Sequence, residues 1–171
     1  MKRTITLCAV VLLMALATRI DAQEAGPRNV RLIFQLIEAD GFPDVDPAIE
    51  DIVEELNGLF RFDGYRLLTT SILTGALGDD ADRLGQVLSL ADHGRLQLNA
   101  WIYPWEAGET VRVSVSLEDR ARGANSEILN VSVRVRNHQT VVLGSAQSRS
   151  AAGVLILAMR VELGPTFEGP A

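Results

Sequence analysis

The stretch Thr110-Val-Arg-Val-Ser-Val-Ser-Leu-Glu118 decides the architecture. Val111, Val113, Val115 and Leu117 alternate with Arg112, Ser114, Ser116 and Glu118. Successive side chains of a strand point to opposite faces, so this alternation marks a half-buried antiparallel strand with its valines inward. Leu129, Val131, Val133 and Val135 repeat the pattern against Asn130, Ser132, Arg134 and Arg136.

Working outward from this pair, short strands recur with polar turns between them. Upstream lie Tyr65 to Leu73, Arg83 to Leu90, and Arg95 to Tyr103, the last opened by Asp92-His-Gly94. Val30 to Glu38 comes first, with Val30, Leu32, Phe34 and Leu36 on one face; Ile33 and Ile37 make the other face apolar too, which predicts cover on both sides. Downstream, Asn137-His138 turns the chain into Thr140 to Leu143, and Ala152 to Leu163 closes the series. One helix stands out over about residues 47–60. Asp46 is its N-cap, Pro47 its first residue, and Ile49, Ile52, Val53, Leu56 and Leu59 (or Phe60) recur at helical spacing. The expected fold class is α+β, mostly antiparallel β: a meander, sandwich or partly open barrel with one packed helix. Neither repeats nor a long linker interrupt it, so residues 30–163 read as one domain, with a linker at 23–29 and a flexible tail at 164–171.

The N-terminus has the order of a secretory signal peptide. Lys2 and Arg3 are followed by the apolar run Thr4 to Ala17, and the small residue Ala22 suits a cleavage position. A membrane span needs roughly 20 apolar residues, and Arg19 interrupts this run too early. Residues 1–22 are therefore expected to be removed, leaving no transmembrane span. The whole chain carries 16 basic and 22 acidic residues. Without the leader its net charge becomes about −8, which argues against a nucleic-acid binder that must replace phosphate counterions. The single cysteine, Cys8, lies in the leader, so no disulfide holds the exported part. Beyond Lys2 every non-histidine cation is arginine, and a chain also rich in Ala, Gly, Asp and Val suggests a GC-rich bacterial genome. These features point to the periplasm or the extracellular side of a bacterial envelope.

Chemical constellations are sparse. Glu38, Asp40, Asp44, Asp46, Glu50, Asp51, Glu54 and Glu55 cluster before and within the helix, but Pro43 and Val45 break the register of a calcium loop. Anions near a helix N-terminus are stabilised by its dipole, by ~0.3–1 kcal/mol each, and that explains the cluster better. His93 and His138 both sit in turns, without a nearby second ligand in the sequence. Gly144-Ser145 lacks the glycine and helix of a nucleophile elbow. The reading is not an enzyme, with no catalytic residue, metal or cofactor assigned.

The aromatic run Trp101-Ile-Tyr-Pro-Trp105 is the most unusual local feature. Leu96, Leu98, Ala100 and Ile102 share one face of their strand; Trp101 and Tyr103 fall on the other, beside Gln97 and Asn99. A covering helix or second sheet would make them core, as a single-helix domain tends to require of its aromatics. Without such cover, Trp101, Tyr103 and Trp105 are the candidate partner-binding residues, since aromatics bury much area at little entropic cost.

Val131-Ser-Val-Arg-Val-Arg-Asn-His-Gln-Thr-Val-Val-Leu-Gly144 and Val154-Leu-Ile-Leu-Ala-Met-Arg-Val161 resemble the strand–turn–strand and following apolar strand of secretins, the outer-membrane channels of secretion systems and type IV pili. Leu32 to Glu38 is similar to the strand with an Ile-Glu motif that opens the secretin core. The resemblance is local, to about residues 129–163. His138 stands where that family has a turn glycine, Ser145 where a second glycine often lies, and the proline- and glycine-rich gate segment is replaced by a short loop. It implies a secretin-like hairpin in a small envelope protein. The expected function is an exported, envelope-associated binding or structural module with an envelope protein partner, accessory to a secretion or pilus-like assembly. A small secreted enzyme with a site assembled across the fold, and a self-assembling secretin-like oligomer, are the alternatives.

Overall fold

Residues 28–39, 43–78, 80–91, 94–103, 110–120, 126–147 and 153–164 are described by a computed structural model. The proposed leader, the tail beyond Gly164, His93 and Trp105 lie outside the described residues. The strands are β1 (Arg28–Ala39), β2 (Tyr65–Leu77), β3 (Asp82–Leu90), β4 (Gly94–Ile102), β5 (Thr110–Asp119), β6 (Ser126–Arg136), β7 (Thr140–Gln147) and β8 (Val154–Gly164). Between β1 and β2, a 3-10 turn (Pro47–Ile52) runs into the short helix α1 (Val53–Leu59). Sheet I has the order β2-β1-β8-β7 and sheet II the order β3-β4-β5-β6, with every pairing antiparallel. Followed around the molecule, each strand lies beside its neighbours in sequence, and the meander curls until β1 meets β8. Ladders are missing at β2/β3 and β6/β7, so two sheets form in place of a closed barrel.

Alternation places the core. Val30, Leu32, Phe34 and Leu36 of β1 share one buried cluster with Val111, Val113, Val115 and Leu117 of β5. Leu96, Leu98, Ala100 and Ile102 of β4 and Leu155, Leu157, Met159 and Val161 of β8 complete it. Each aliphatic side chain fully removed from water contributes roughly 1.5–3 kcal/mol, so these four central strands carry most of the sandwich's stability.

The other face of β1 is apolar because it too is covered. Ile37, Ala39, Tyr65, Ile156 and Ala158 meet Ile49, Ile52 and Leu56 in a second cluster, which puts the helix on the outside of sheet I. Asp46 anchors this layer. Its Oδ1 accepts from the Ala48 N–H at 3.0 Å, and its Oδ2 accepts from the Leu67 N–H of β2 at 3.2 Å. The expected N-cap thus also ties the helix to the sheet. A continuous helix does not follow: Ile49 has φ −125° and the first turn is 3-10. The kink lets Ile49, Ile52 and Leu56 all reach the sheet. Leu59 is left 63% exposed, while Phe60 turns inward and stacks on Phe62 with ring centroids 6.0 Å apart.

Strand ends extend past the alternating stretches. β2 continues to Leu77, β6 begins at Ser126 and β7 reaches Gln147. Backbone pairing decides these ends, as where Arg28 lies opposite Leu77, and side-chain polarity does not report it. At one end of the sandwich Glu38 faces inward, almost fully buried, and accepts from the Arg66 guanidinium at 2.7 Å. Gly153 closes over it. A Cβ there would stand 2.9 Å from both the Ala39 carbonyl oxygen and the Glu38 Oε1, so no larger residue fits. The unpaired seams are joined by side chains and turns. Ser71 Oγ donates to Gln86 Oε1 at 2.6 Å across β2/β3, and His138, at φ 60°, occupies the left-handed turn position between β6 and β7. Histidine tolerates that region better than most residues.

Candidate interaction face

Sheet II receives no helix on its outer face among the described residues. Its side chains there are the polar half of the alternating strands, and strand register arranges them in rows. Arg83, Trp101, Ser114 and Ser132 lie side by side across β3, β4, β5 and β6. The next row is Gly85, Asn99, Ser116 and Asn130. Beyond the opposite edge of the first row, Tyr103 lies at the end of β4, where its backbone N–H donates to the Arg112 carbonyl at 3.0 Å; Arg112 in turn pairs with Arg134.

Trp101 and Tyr103 are both half-buried. Each ring is flanked by a guanidinium: Arg83 Cζ lies 5.4 Å from the Trp101 ring centroid, and Arg112 Cζ lies 5.0 Å from that of Tyr103. Cation–π contact of this kind holds a long side chain in place, contributing roughly 0.5–1 kcal/mol at exposed sites. The helix that would have made these rings core lies on the other sheet. Partial shielding comes instead from neighbours on the same face. Trp105 falls outside the described residues.

Between the aromatics and the far end runs a neutral hydrogen-bonding strip. Gln97 Nε2 donates to Asn99 Oδ1 at 3.1 Å, and Asn99 Nδ2 donates to Ser116 Oγ at 3.3 Å. Ser114 and Ser132 share a hydrogen bond between their hydroxyls. These contacts order the amides and hydroxyls. Sequence reasoning identified Trp101 and Tyr103 but not their pairing with Arg83 and Arg112. Those arginines are polar partners in alternating strands, and only register shows which ring each one meets.

The acidic stretch dissolves into separate roles. Glu38 is buried at the end of the sandwich and pairs with the exposed Arg66, Asp46 caps the helix, and Glu50, Glu54 and Glu55 are exposed. A concavity of ≈ 620 Å³ beside the helix is lined by Val45, Asp46, Pro47, Glu50, Val53, Glu54 and Asn57. Its described lining holds neither a histidine nor a hydroxyl nucleophile. Among the described residues no three His, Cys, Asp or Glu side chains converge. His138 is exposed at its turn. The Tyr65 phenol has a displaced ionisation: burial pushes it above the ordinary value, opposed in part by the nearby Phe62 backbone, which stays outside hydrogen-bond geometry. Its hydroxyl makes no hydrogen bond. That group serves the helix–sheet core and not a site.

Neither family models, curated proteins nor solved structures match this chain. Among the described residues no helix is long and apolar enough to cross a membrane.

Proposed function

We propose that this protein is an exported, envelope-associated binding module whose working surface is the outer face of sheet II. The observation that carries this reading is the asymmetry of the sandwich. Sheet I carries the helix on its outer face, whereas sheet II presents Trp101 and Tyr103, each held by an arginine, on a face without such cover. Half-buried aromatics ordered in this way suit recognition, because little rotamer entropy remains to be lost on binding.

Two measurements test it. The protein recovered from the envelope fraction should begin at Gln23, and retention of the intact chain in the cytoplasm overturns the export part. Purified residues 23–171 should sediment with envelope fragments. Trp101→Ala and Tyr103→Ala should abolish that retention, while Leu59→Ala, on the exposed side of the helix, leaves it unchanged. Equal retention of all three variants overturns the assignment of the face.

A second reading, an accessory or self-assembling element of a secretin-like apparatus, draws support from one arrangement. The segments that resemble secretins fall in β1, β6, β7 and β8; β1, β8 and β7 are neighbours in sheet I, whereas β6 lies at the edge of sheet II without a ladder to β7, so the expected strand–turn–strand is not a paired hairpin. Ring-sized particles formed by the purified chain would favour this reading; a monomer at all concentrations would count against self-assembly.

A further inference from the structure

The proposed binding face has a definite chemistry. Arg83 is exposed on β3, Arg112 on β5, and Arg134 and Arg136 on β6, all on the outer side of sheet II. They gather four positive charges at one end of a face belonging to a chain whose formal net charge is −6. Such a concentration runs against the charge of the whole molecule, and it attracts anions locally. Interleaved with the arginines are Trp101 and Tyr103, followed by the amide of Gln97 and the hydroxyls of Ser114 and Ser132, while Asn99 and Ser116 lie almost fully buried beneath them and bonded to each other.

Two classes of occupant fit a sheet face of this kind, and the composition separates them. A protein partner needs an apolar centre within a polar rim. Here Val87, 45% exposed, is the sole large aliphatic residue standing out among the described part of sheet II. A polysaccharide needs the reverse: ordered amides, hydroxyls and guanidiniums to meet its hydroxyl groups, and aromatic rings to meet the C–H faces of its sugars. The guanidinium fork matches a carboxylate in two parallel hydrogen bonds. Arg83 and Arg112 lie on strands two inter-strand steps apart and two residues out of line, about 11–12 Å between backbones, and they hold different rings of β4, so each offers its own positive charge along the face.

We infer that the outer face of sheet II binds a carboxylated polysaccharide of the envelope. The polymer lies across the strands, with its acidic groups on Arg83 and Arg112, a sugar face against Trp101, and its hydroxyls over Gln97, Ser114 and Ser132, the accessible polar side chains of the strip. The inference rests on the binding-module reading above and names its ligand class.

The test is calorimetric titration of purified residues 23–171 with oligomers of polygalacturonate, neutral dextran and inorganic polyphosphate, at low and at physiological salt. Polygalacturonate should bind, more weakly as salt rises, and dextran should bind at least tenfold more weakly. Arg83→Gln, Arg112→Gln and Trp101→Ala should each weaken polygalacturonate at least tenfold, with thermal melts showing each variant folded; Arg61→Gln, outside the face, should not. Polyphosphate binding as tight as polygalacturonate and indifferent to Trp101→Ala overturns the inference in favour of a general polyanion site. Salt-sensitive dimers that form without any glycan overturn it in favour of a second copy, whose acidic helix would be the occupant. If polygalacturonate fails while envelope fragments still capture the chain through Trp101, the ligand class falls and the binding face stands. If both fail, both readings fall.

Discussion

Sheet I and sheet II turn equivalent apolar faces into one shared core, yet their outer faces carry different sequences and different neighbours. On sheet I the outward positions include Ile37, Ala39, Ile156 and Ala158, and a helix bearing Ile49, Ile52 and Leu56 covers them. On sheet II the outward positions are Arg112, Ser114, Ser116 and Glu118 on β5, with Gln97, Asn99 and Trp101 on β4. Here a strand's second face announces its environment. β1 and β8 break alternation because both sides are buried, and β5 and β6 keep it because one side is not. The helix follows from the same physics, since leaving Ile37 and Ile156 exposed would forgo several kcal/mol of burial.

The contrast can be broken most forcefully within one strand. Val113→Asp buries a carboxylate in the shared core and should cost several kcal/mol, roughly 3–5, in urea or thermal melts. Ser114→Asp, one residue along on the outer face, should stay within about 1 kcal/mol. Equal costs would show that the facing of β5 is wrong. Leu56→Ala comes next and tests the cover on sheet I: removing a fully buried side chain beneath the helix should cost about 2–5 kcal/mol. Asp46→Ala removes both the helix cap and the link to Leu67, for an expected loss of about 1–2 kcal/mol.

Trp101→Ala sharpens the comparison from the other side. A Trp-to-Ala change in a sealed core costs about 3–5 kcal/mol, whereas this half-buried ring should cost about 1 kcal/mol, so a melt close to that of Leu56→Ala would mean that something covers sheet II. The smallest effect belongs to Tyr65. Its hydroxyl is buried without a hydrogen bond, and Tyr65→Phe should change stability by no more than a gain of about 1 kcal/mol at neutral pH. The fold raises the phenol's pKa and so favours its protonated form. That stabilisation is complete below the unfolded value, about 10, and is lost as pH rises through the folded one. The wild-type melting temperature should therefore fall faster above about pH 10 than that of Tyr65→Phe.

Much of the scaffold was legible because alternation and capping are local. All eight strands, the Asp46 cap, the inward Val111 face and the double cover on β1 depend on residues within a few positions of one another. The 3-10 kink was not legible. Ile49 leaves helical geometry in order to reach the sheet, and that demand comes from across the core. The candidate face was half legible. Trp101 and Tyr103 stood out as aromatics among polar residues, but which sheet the single helix would cover was not legible, because a helix can lie on either one.

Sequence alone determined where the alternating stretches of the strands lie, that Asp46 caps the helical segment, and which half of each alternating strand prefers water. Those properties follow from side-chain chemistry repeated at the period of the backbone. Tertiary structure decided that β1 closes on β8, that the helix takes the side of sheet I, and that Arg83 meets Trp101 while Arg112 meets Tyr103. Such partnerships depend on register between strands, and register is set by the whole set of backbone pairings and the shared core at once; shifting one strand by a single residue would send its valines to solvent and its arginines into the core.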